Sequence, residues 1–475
     1  MKKHILMIAF LFLISLLFSY SILEREIGNF VDNNDPRASA MGGASTSGGN
    51  RFFDIFVNPS NLGFLQKGLG SQFSVGVMKN DDNRSMPMYN FFDGYIDDAT
   101  YVSNVHYFEE YAAGLYYKYD FSNLGFSAAF SYKPFINFDS SYEEEVRNDD
   151  NSDDDNDDTG YNQEYNYPPI IAKNFIKGDG SVNSMSFITA CSYKDIASLG
   201  VEVASLKGDS KLLRKMIWTD FAQELVDEDL SDSLYLIERN FDALSIKAGA
   251  NILLDKRFGF GISYTPKIEF EVGVDGSINE ANIDTLLFGY ELDENDAIID
   301  TLMYSDYFNA EYGHYKIPSK LRLGFSYQPR NIMKTYFNFD LEMVNWSDIN
   351  SLYDNQFNYY IGVEHKLNYS IPLRIGFRYV TDYQLFNDGN ISYANKVSAP
   401  TFTVGTGFTF MKRFTFDISA AYSNRKYEAL DLFMDGQYNY SDLWNNIVPE
   451  DRGWENPDQV SESFMKIQSS ISFNW

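Results

Sequence analysis

The chain has 475 residues, of which 35 are tyrosine and 40 phenylalanine, and a net charge of −29. That acidity argues against nucleic acid or an anionic surface as a partner. A single cysteine, Cys191, excludes an intramolecular disulfide; lying within an alternating apolar stretch, it is expected to be buried and inert.

In chain order, Lys2 and Lys3 precede an apolar run from Ile5 to Phe18, and Ser19 and Ser21 follow as a small-x-small site. This pattern reads as a secretory signal peptide over residues 1–21, too short for a spanning helix. No cysteine follows that would carry a lipoprotein anchor. Elsewhere no apolar run approaches the ~20 residues a membrane helix needs. Next comes "DPRASAMGGASTSGGNRFFDIFVNPSNLGFL", Asp35 to Leu65. It is rich in Gly, Ala and Ser and has no strand period. Small residues permit tight packing inside a pore, and Asn58-Pro59 supplies turn chemistry; the alternative is a disordered leader.

From residue 67 onwards the sequence alternates. Strands are predicted near 69–78, 111–119, 124–133, 182–193, 199–206, 241–254, 258–269, 320–328, 335–345, 357–367, 373–380, 402–410, 414–423 and 465–475. In one of them Leu373, Ile375, Phe377 and Tyr379 oppose Arg374, Gly376 and Arg378; in another Phe402, Val404, Phe408 and Phe410 oppose Thr403, Gly405, Gly407 and Thr409. Period-two alternation of this kind marks a strand with one apolar face. The segments run to about ten residues or more, against about five or six in soluble sheets, and match the nine to eleven that cross a bilayer at a tilt.

The connections alternate between short ("DFSN", "KDIAS", "DKR", "NYSIP", "MKR") and long (80–110, 134–181, 207–240, 270–319, 424–464). Short turns on one side and long external loops on the other are the asymmetry of a transmembrane barrel with an even strand number. The fold class is therefore all-β: a single-domain, antiparallel up-and-down transmembrane β-barrel of about 14 strands. The segment Tyr101 to Tyr107 is read as loop or as an extension of the strand after it.

A cation facing lipid at mid-bilayer costs about 2–4 kcal/mol. Arg322, Asp340, Glu342, Arg374 and Arg378 all lie on the non-aromatic face, as do Lys118, Lys247 and Asp417, so that face is assigned to the lumen. Charge reversal at Arg374 or Arg378 is then expected to leave folding intact, whereas Ile375→Arg should cost about 2–4 kcal/mol. The final strand is amphipathic through Phe473 and Trp475 and is expected to pair with the first, sealing the barrel.

Three further stretches invite functional readings. Asn148 to Gly160, "NDDNSDDDNDDTG", lacks the register of a calcium loop and reads as a solvated external loop. Lys211 to Glu228 has helical spacing and reads as a cap over the external mouth or an ordinary loop helix. His106, His314 and His365 stand alone, without a hydrolase, zinc or nucleotide-binding motif; no enzyme, metal or cofactor is expected.

The stretch Ala38–Leu65, with "IPSKLRLGFSYQP" (317–329), "DLEMVNWSD" (340–348) and "IPLRIGFRYV" (371–380), resembles the FadL-like long-chain fatty-acid transporters and their PorV-like relatives. The family's Asn-Pro-Ala motif matches Asn58 and Pro59, with Ser60 in place of alanine. The resemblance implies a hatch inside the barrel over residues 22–66, gated through Gly42, Gly43, Asn58, Pro59 and Ser60, and a barrel over 67–475. It also implies a monomer in the outer membrane of a Gram-negative-type cell, in contact with lipid and lipopolysaccharide. Passive uptake of a hydrophobic small molecule, fatty-acid-like or aromatic, is the implied function; a PorV-like scaffold for exported surface proteins is the alternative. Trp475 resembles the terminal signal read by the barrel assembly machinery.

Overall fold

A computed structural model describes residues 28–31, 34–89, 95–147, 170–220, 233–254, 257–275, 287–292, 298–303, 314–332, 334–348, 354–367, 371–387, 392–411, 413–429 and 458–475. The expected signal peptide and the acidic run 148–160 lie outside them. In chain order the strands are β1 (Asn29–Phe30), β2 (Gly68–Tyr89), β3 (Tyr95–Phe121), β4 (Leu124–Asn137), β5 (Ser140–Arg147), β6 (Ile170–Tyr193), β7 (Ala197–Trp218), β8 (Ser233–Leu254), β9 (Phe258–Thr265) and β10 (Ile268–Asp275). There follow β11 (Leu287–Leu292), β12 (Ile298–Met303), β13 (His314–Ile317), β14 (Lys320–Tyr327), β15 (Tyr336–Val344), β16 (Gln356–Leu367), β17 (Ile371–Asn387), β18 (Ser392–Phe410), β19 (Phe414–Ala429) and β20 (Asp458–Asn474).

Every neighbouring pair in the wall is antiparallel, and β20 pairs with both β19 and β2, closing the sheet on itself. Counting β4/β5, β9/β10 and β13/β14 as broken single strands, the wall is a closed 14-stranded barrel. Closure removes the sheet edge, which inside hydrocarbon would leave backbone groups unsatisfied. β11 and β12 form a separate hairpin.

The two faces part as alternation requires. Phe73, Leu115, Phe187, Leu199, Ile246, Phe260, Ile375, Phe402 and Ile467 are exposed on the outside, whereas Gln72, Ser74, Ser186, Ser263, Asn338, Arg374 and Gln468 are buried within. Cys191 corrects its expected burial: it stands on the outer, apolar face and is exposed. The outer face turns from apolar to charged near Lys207 and Asp242, which pair across β7 and β8 at 2.6 Å; Lys211 and Glu238, one step further, pair at 2.7 Å.

Beyond that line the strands continue. β3 has 27 residues and β7 has 22, about twice what a bilayer crossing needs. Much of what reads as long loop in the sequence is thus strand, and Tyr101 to Tyr107 extends the strand after it, both lying within β3. Lys211–Trp218 is likewise strand, not helix: its rungs to β6 (Lys211–Asp179) and β8 (Lys211–Glu238) satisfy the backbone and override the local spacing.

Candidate functional site

The described residues of the N-terminal segment, 28–31 and 34–65, run inside the barrel. Its β1 adds to the inner edge of β4, with Asn29 opposite Asn137 and Phe30 opposite Ile136. A short helix α1 (Pro36–Ala40) is capped by Asp35, whose carboxylate accepts from the Arg37 and Ala38 N–H groups at 2.7 and 3.1 Å, with Pro36 at the position where a missing N–H is harmless. Two 3₁₀ turns follow, Phe52–Phe56 and Pro59–Phe64. Phe52, Phe53, Ile55 and Leu62 then pack against Tyr116, Ala129 and Ile188 of the wall.

Close approach to the wall depends on glycine. A Cβ at Gly200 or Gly249 would collide with Asn58–Ser60, at Gly261 or Gly324 with Thr46–Ser47, and at Gly362 or Gly376 with Met41–Gly42. Gly42 and Gly43 also adopt φ of +69° and +88°, a region that favours glycine.

Charge fixes the register. Arg37 pairs with Glu364 (3.1 Å), Glu364 with Arg374 (2.7 Å), Arg374 with Asp417 (2.7 Å) and Asp417 with Arg51 (2.9 Å), an alternating chain that begins and ends in the N-terminal segment. Asp340 is a second anchor. One carboxylate oxygen accepts from the Ser45 and Thr46 N–H groups (2.9 and 3.0 Å), the Thr46 hydroxyl (2.8 Å) and Arg322 (2.9 Å). Arg322 donates onward to the Gly43 carbonyl at 2.6 Å and lies 3.8 Å from the Tyr360 ring centre. Removing one partner of such a buried pair strands the other charge. This revises the expectation for Arg374, whose reversal would set a third carboxylate between Glu364 and Asp417. Arg378 is half-buried and lines the cavity described below.

Asn58 donates to the Thr46 carbonyl (2.8 Å) and reaches the wall at the Ala250 carbonyl (3.3 Å), while its own carbonyl accepts from Ser60 N–H and Oγ. The wall beside it is regular: Ala250 sits in intact ladders with Leu199 and Ile262. At the base of the barrel Trp475 donates its N–H to the Leu69 carbonyl at 2.9 Å, and its ring meets Phe473 edge-on.

Above the N-terminal segment lies an internal cavity of about 160 Å³. Phe56, Val57 and Gly43 form its floor; Phe30, Phe135, Leu206 and Ile268 contribute apolar wall. Among them stand Lys133, Lys247, Lys320, Arg322 and Arg378, with Glu202 and Glu342 opposing. Lys133 lies over the Phe56 ring at 4.6 Å and Lys320 over Phe30 at 4.9 Å. Further out, Phe138, Phe241, Phe270 and Tyr315 pack ring to ring at 5.1–6.4 Å, with the Arg239 guanidinium over Phe138 and Phe241. A wider depression ringed by Tyr117, Tyr119, Phe126 and Leu199 is on the outer apolar face.

The inward glycines were visible as a pattern on the non-aromatic parity, but alternation alone reads them as pore lining. The cavity brings together Lys133, Lys320 and Phe30, which no sequence spacing connects.

A FadL homologue from Pseudomonas aeruginosa has the same fold, with a TM-score of 0.56 at 12% identity over 94% of this chain and 99% of that one. A mutant of the TodX monoaromatic hydrocarbon channel matches at 0.53 and 13% identity, covering 94% and 100%. The toluene transporter TodX of P. putida matches at 0.50 and 12%, covering 94% and 99%. No protein-family model and no curated protein sequence matches the chain. The fold is that of the FadL-type barrels, and the likeness rests on architecture across nearly the whole chain.

Proposed function

We propose that the protein is an outer-membrane channel for passive uptake of hydrophobic compounds, with the N-terminal segment acting as its hatch. The cavity carries this reading: a partly apolar chamber between that segment and the wall, with the ring cluster packed beside its apolar lining. A cavity of about 150 Å³ holds benzene, so a chamber of about 160 Å³ suits a single ring or a short piece of chain. A longer ligand requires the hatch to shift. The cations on the apolar wall favour a ligand with an aromatic ring or an acidic head.

The route begins at the external strand extensions, passes the rings and enters the chamber; Gly42, Gly43, Asn58, Pro59 and Ser60 then govern how far the hatch can move. Asn58→Ala combined with Pro59→Ala loosens the turn at Ala250, and uptake of a radiolabelled hydrophobic probe should change while the barrel still folds. Rapid proteolysis throughout 28–64 in intact outer membranes would mark a loose leader and end the gating mechanism. Phe473 and Trp475 are proposed as the assembly signal: deleting Trp475 should lower the amount of heat-modifiable barrel with synthesis unchanged, and normal levels would refute the role. The charged outer faces of β7 and β8 beyond Lys207 give a specific surface for the second reading, a scaffold for exported proteins. In that case cross-linking from Lys211 captures protein partners and the Asn58/Pro59 variant leaves probe uptake unchanged.

A further inference from the structure

One continuous row of rungs crosses five strands of the outer face: Tyr117–Ala128, Ala128–Thr189, Thr189–Val201 and Val201–Ala248. All five side chains are exposed and alternate with inward Lys118, Ser127, Ile188 and Glu202. Past Tyr117 the row is low, because Ala128, Thr189, Val201 and Ala248 are short. The rows on either side are taller. Towards the long extensions stand Leu115, Phe130, Phe187 and Ile246; towards the short turns stand Tyr119, Phe126 and Leu199. The depression noted on the outer face is therefore a furrow. It measures about 760 Å³, about five times the ~150 Å³ that takes a benzene ring. Neighbouring strands stand ~4.8 Å apart, so the low row runs roughly 14 Å from β4 to β8. Its floor includes the backbone of Gly200 and Gly249, themselves a rung, and against their inner side sits the Asn58–Ser60 turn.

Among the described residues, no charged side chain lines the furrow. Its depth follows from the short turns. Ala128 lies just inside Leu124, the first residue of β4, and Thr189 just inside Tyr193, the last of β6. Short turns are the periplasmic ones in such barrels, so the furrow belongs to the periplasmic half of the apolar belt. Two cations stand at its border: Lys67 Nζ lies 5.7 Å from the Tyr119 ring centre, and Lys194 Nζ 5.2 Å from that of Tyr193. The Lys194 N–H donates to the Asn123 carbonyl at 2.9 Å, which sets its turn against the β3–β4 turn beside the furrow. The nearby carboxylates are engaged elsewhere, Asp120 and Asp195 facing the buried Lys118 at 3.8 and 3.4 Å. Neither Lys67 nor Lys194 pairs with a carboxylate among the described residues. Tyrosine and lysine at this level mark the interface between hydrocarbon and headgroups. An apolar furrow with cations at its interfacial end complements an anionic head on a hydrocarbon tail.

We propose that the furrow is a binding site for one glycerophospholipid of the periplasmic leaflet. One acyl chain lies along Ala128, Thr189, Val201 and Ala248, with the phosphate at the level of Lys67 and Lys194. The site rests on the outer-membrane placement proposed above and is independent of uptake. A chain seated there meets the Gly200–Gly249 backbone from outside while the Asn58–Ser60 turn meets it from inside, so the lipid backs the wall on which the N-terminal segment docks.

The test places the full chain in nanodiscs of phosphatidylethanolamine and phosphatidylglycerol and releases it in a mass spectrometer under conditions that strip the general lipid shell. The unmodified chain should keep one phospholipid. Ala128→Trp, which fills the furrow, should lower the fraction keeping it at least fivefold, and Lys67→Gln with Lys194→Gln at least threefold. Val404→Trp, on the outer face of β18 away from the furrow, should leave it unchanged. Retention by Ala128→Trp at the unmodified level, or equal loss from Val404→Trp, overturns the site. Where Ala128→Trp fails to fold, the unmodified chain decides: phosphatidylethanolamine with a diazirine on its acyl chain should label peptides 126–130 and 187–201 above the rest of the belt, and even labelling overturns the site. Lipid A kept in preference to phospholipid from a mixed nanodisc overturns the leaflet assignment and the proposal with it. A heat-modifiable barrel that keeps no lipid overturns the site alone, whereas a chain that forms no barrel in nanodiscs overturns the membrane placement as well.

Discussion

The lumen is filled in two unlike ways. Below the chamber, the N-terminal segment is held by directional contacts: the alternating chain from Arg37 to Arg51 and the Asp340 oxygen that accepts five hydrogen bonds. Above it, Phe138, Phe241, Phe270 and Tyr315 exclude water by ring packing. Buried polar networks tolerate one arrangement and are costly when half-satisfied, whereas apolar clusters accept substitution when volume is kept. The lower half therefore sets register, and the upper half is the part that can repack.

Breaking this contrast starts with Arg374→Glu. Leaving Glu364 and Asp417 without their cation should cost at least the ~3–5 kcal/mol typical of a broken buried pair, read from urea unfolding in liposomes. Asp340→Ala should fall in the same range of about 3–5 kcal/mol, and it should also expose residues 41–47 to protease. A loss under ~1 kcal/mol for both would mean the pairs are dispensable. Ile375→Arg, one residue along but facing lipid, should cost about 2–4 kcal/mol and leave the N-terminal segment protected. If Ile375→Arg is neutral, the wall is inside out.

In the upper half, Phe138→Leu should cost less than ~1.5 kcal/mol and appear instead as increased ion leak in planar bilayers. Unchanged conductance with a large stability loss would place Phe138 among the rigid anchors. The smallest effect is titration of the N-terminal segment. Burial, then the neighbouring Asp35, pushes the Asp54 carboxyl up to about 7. A carboxyl whose folded value is raised contributes stability at low pH and loses it as the pH climbs through that value. Protease resistance of 28–64 should therefore rise modestly as the pH falls from about 7 to about 4, and Asp54→Asn should flatten the profile. A slope of opposite sign in the unmodified chain would contradict this.

Alternation was enough to read the membrane-crossing part, because lipid on one side and a polar lumen on the other impose opposite demands on adjacent residues. Leu373 to Tyr379 illustrates it: each apolar residue faces out and Arg374 lies buried within. Beyond Lys207 the outer solvent is water, so both faces of β7 tolerate charge and the period-two contrast fades. Lys211–Trp218 then reads as helix although it is strand. The outer furrow was hidden for another reason. Ala128, Thr189, Val201 and Ala248 are visible in the sequence, but that they share one row depends on strands far away in the chain. The Arg37–Glu364 contact joins residues 327 positions apart, and nothing local announces it.

The inward glycines make the barrel a cast of one particular peptide. Where Gly249 and Gly200 lie, the wall is hollowed for Asn58–Ser60; where Gly362 and Gly376 lie, for Met41–Gly42. An N-terminal segment transplanted from another barrel of this fold would meet troughs cut for a different chain, so its exchange requires moving the glycines with it. A barrel stripped of residues 28–65 would keep those troughs as a ready-made receptor for the same peptide supplied in trans.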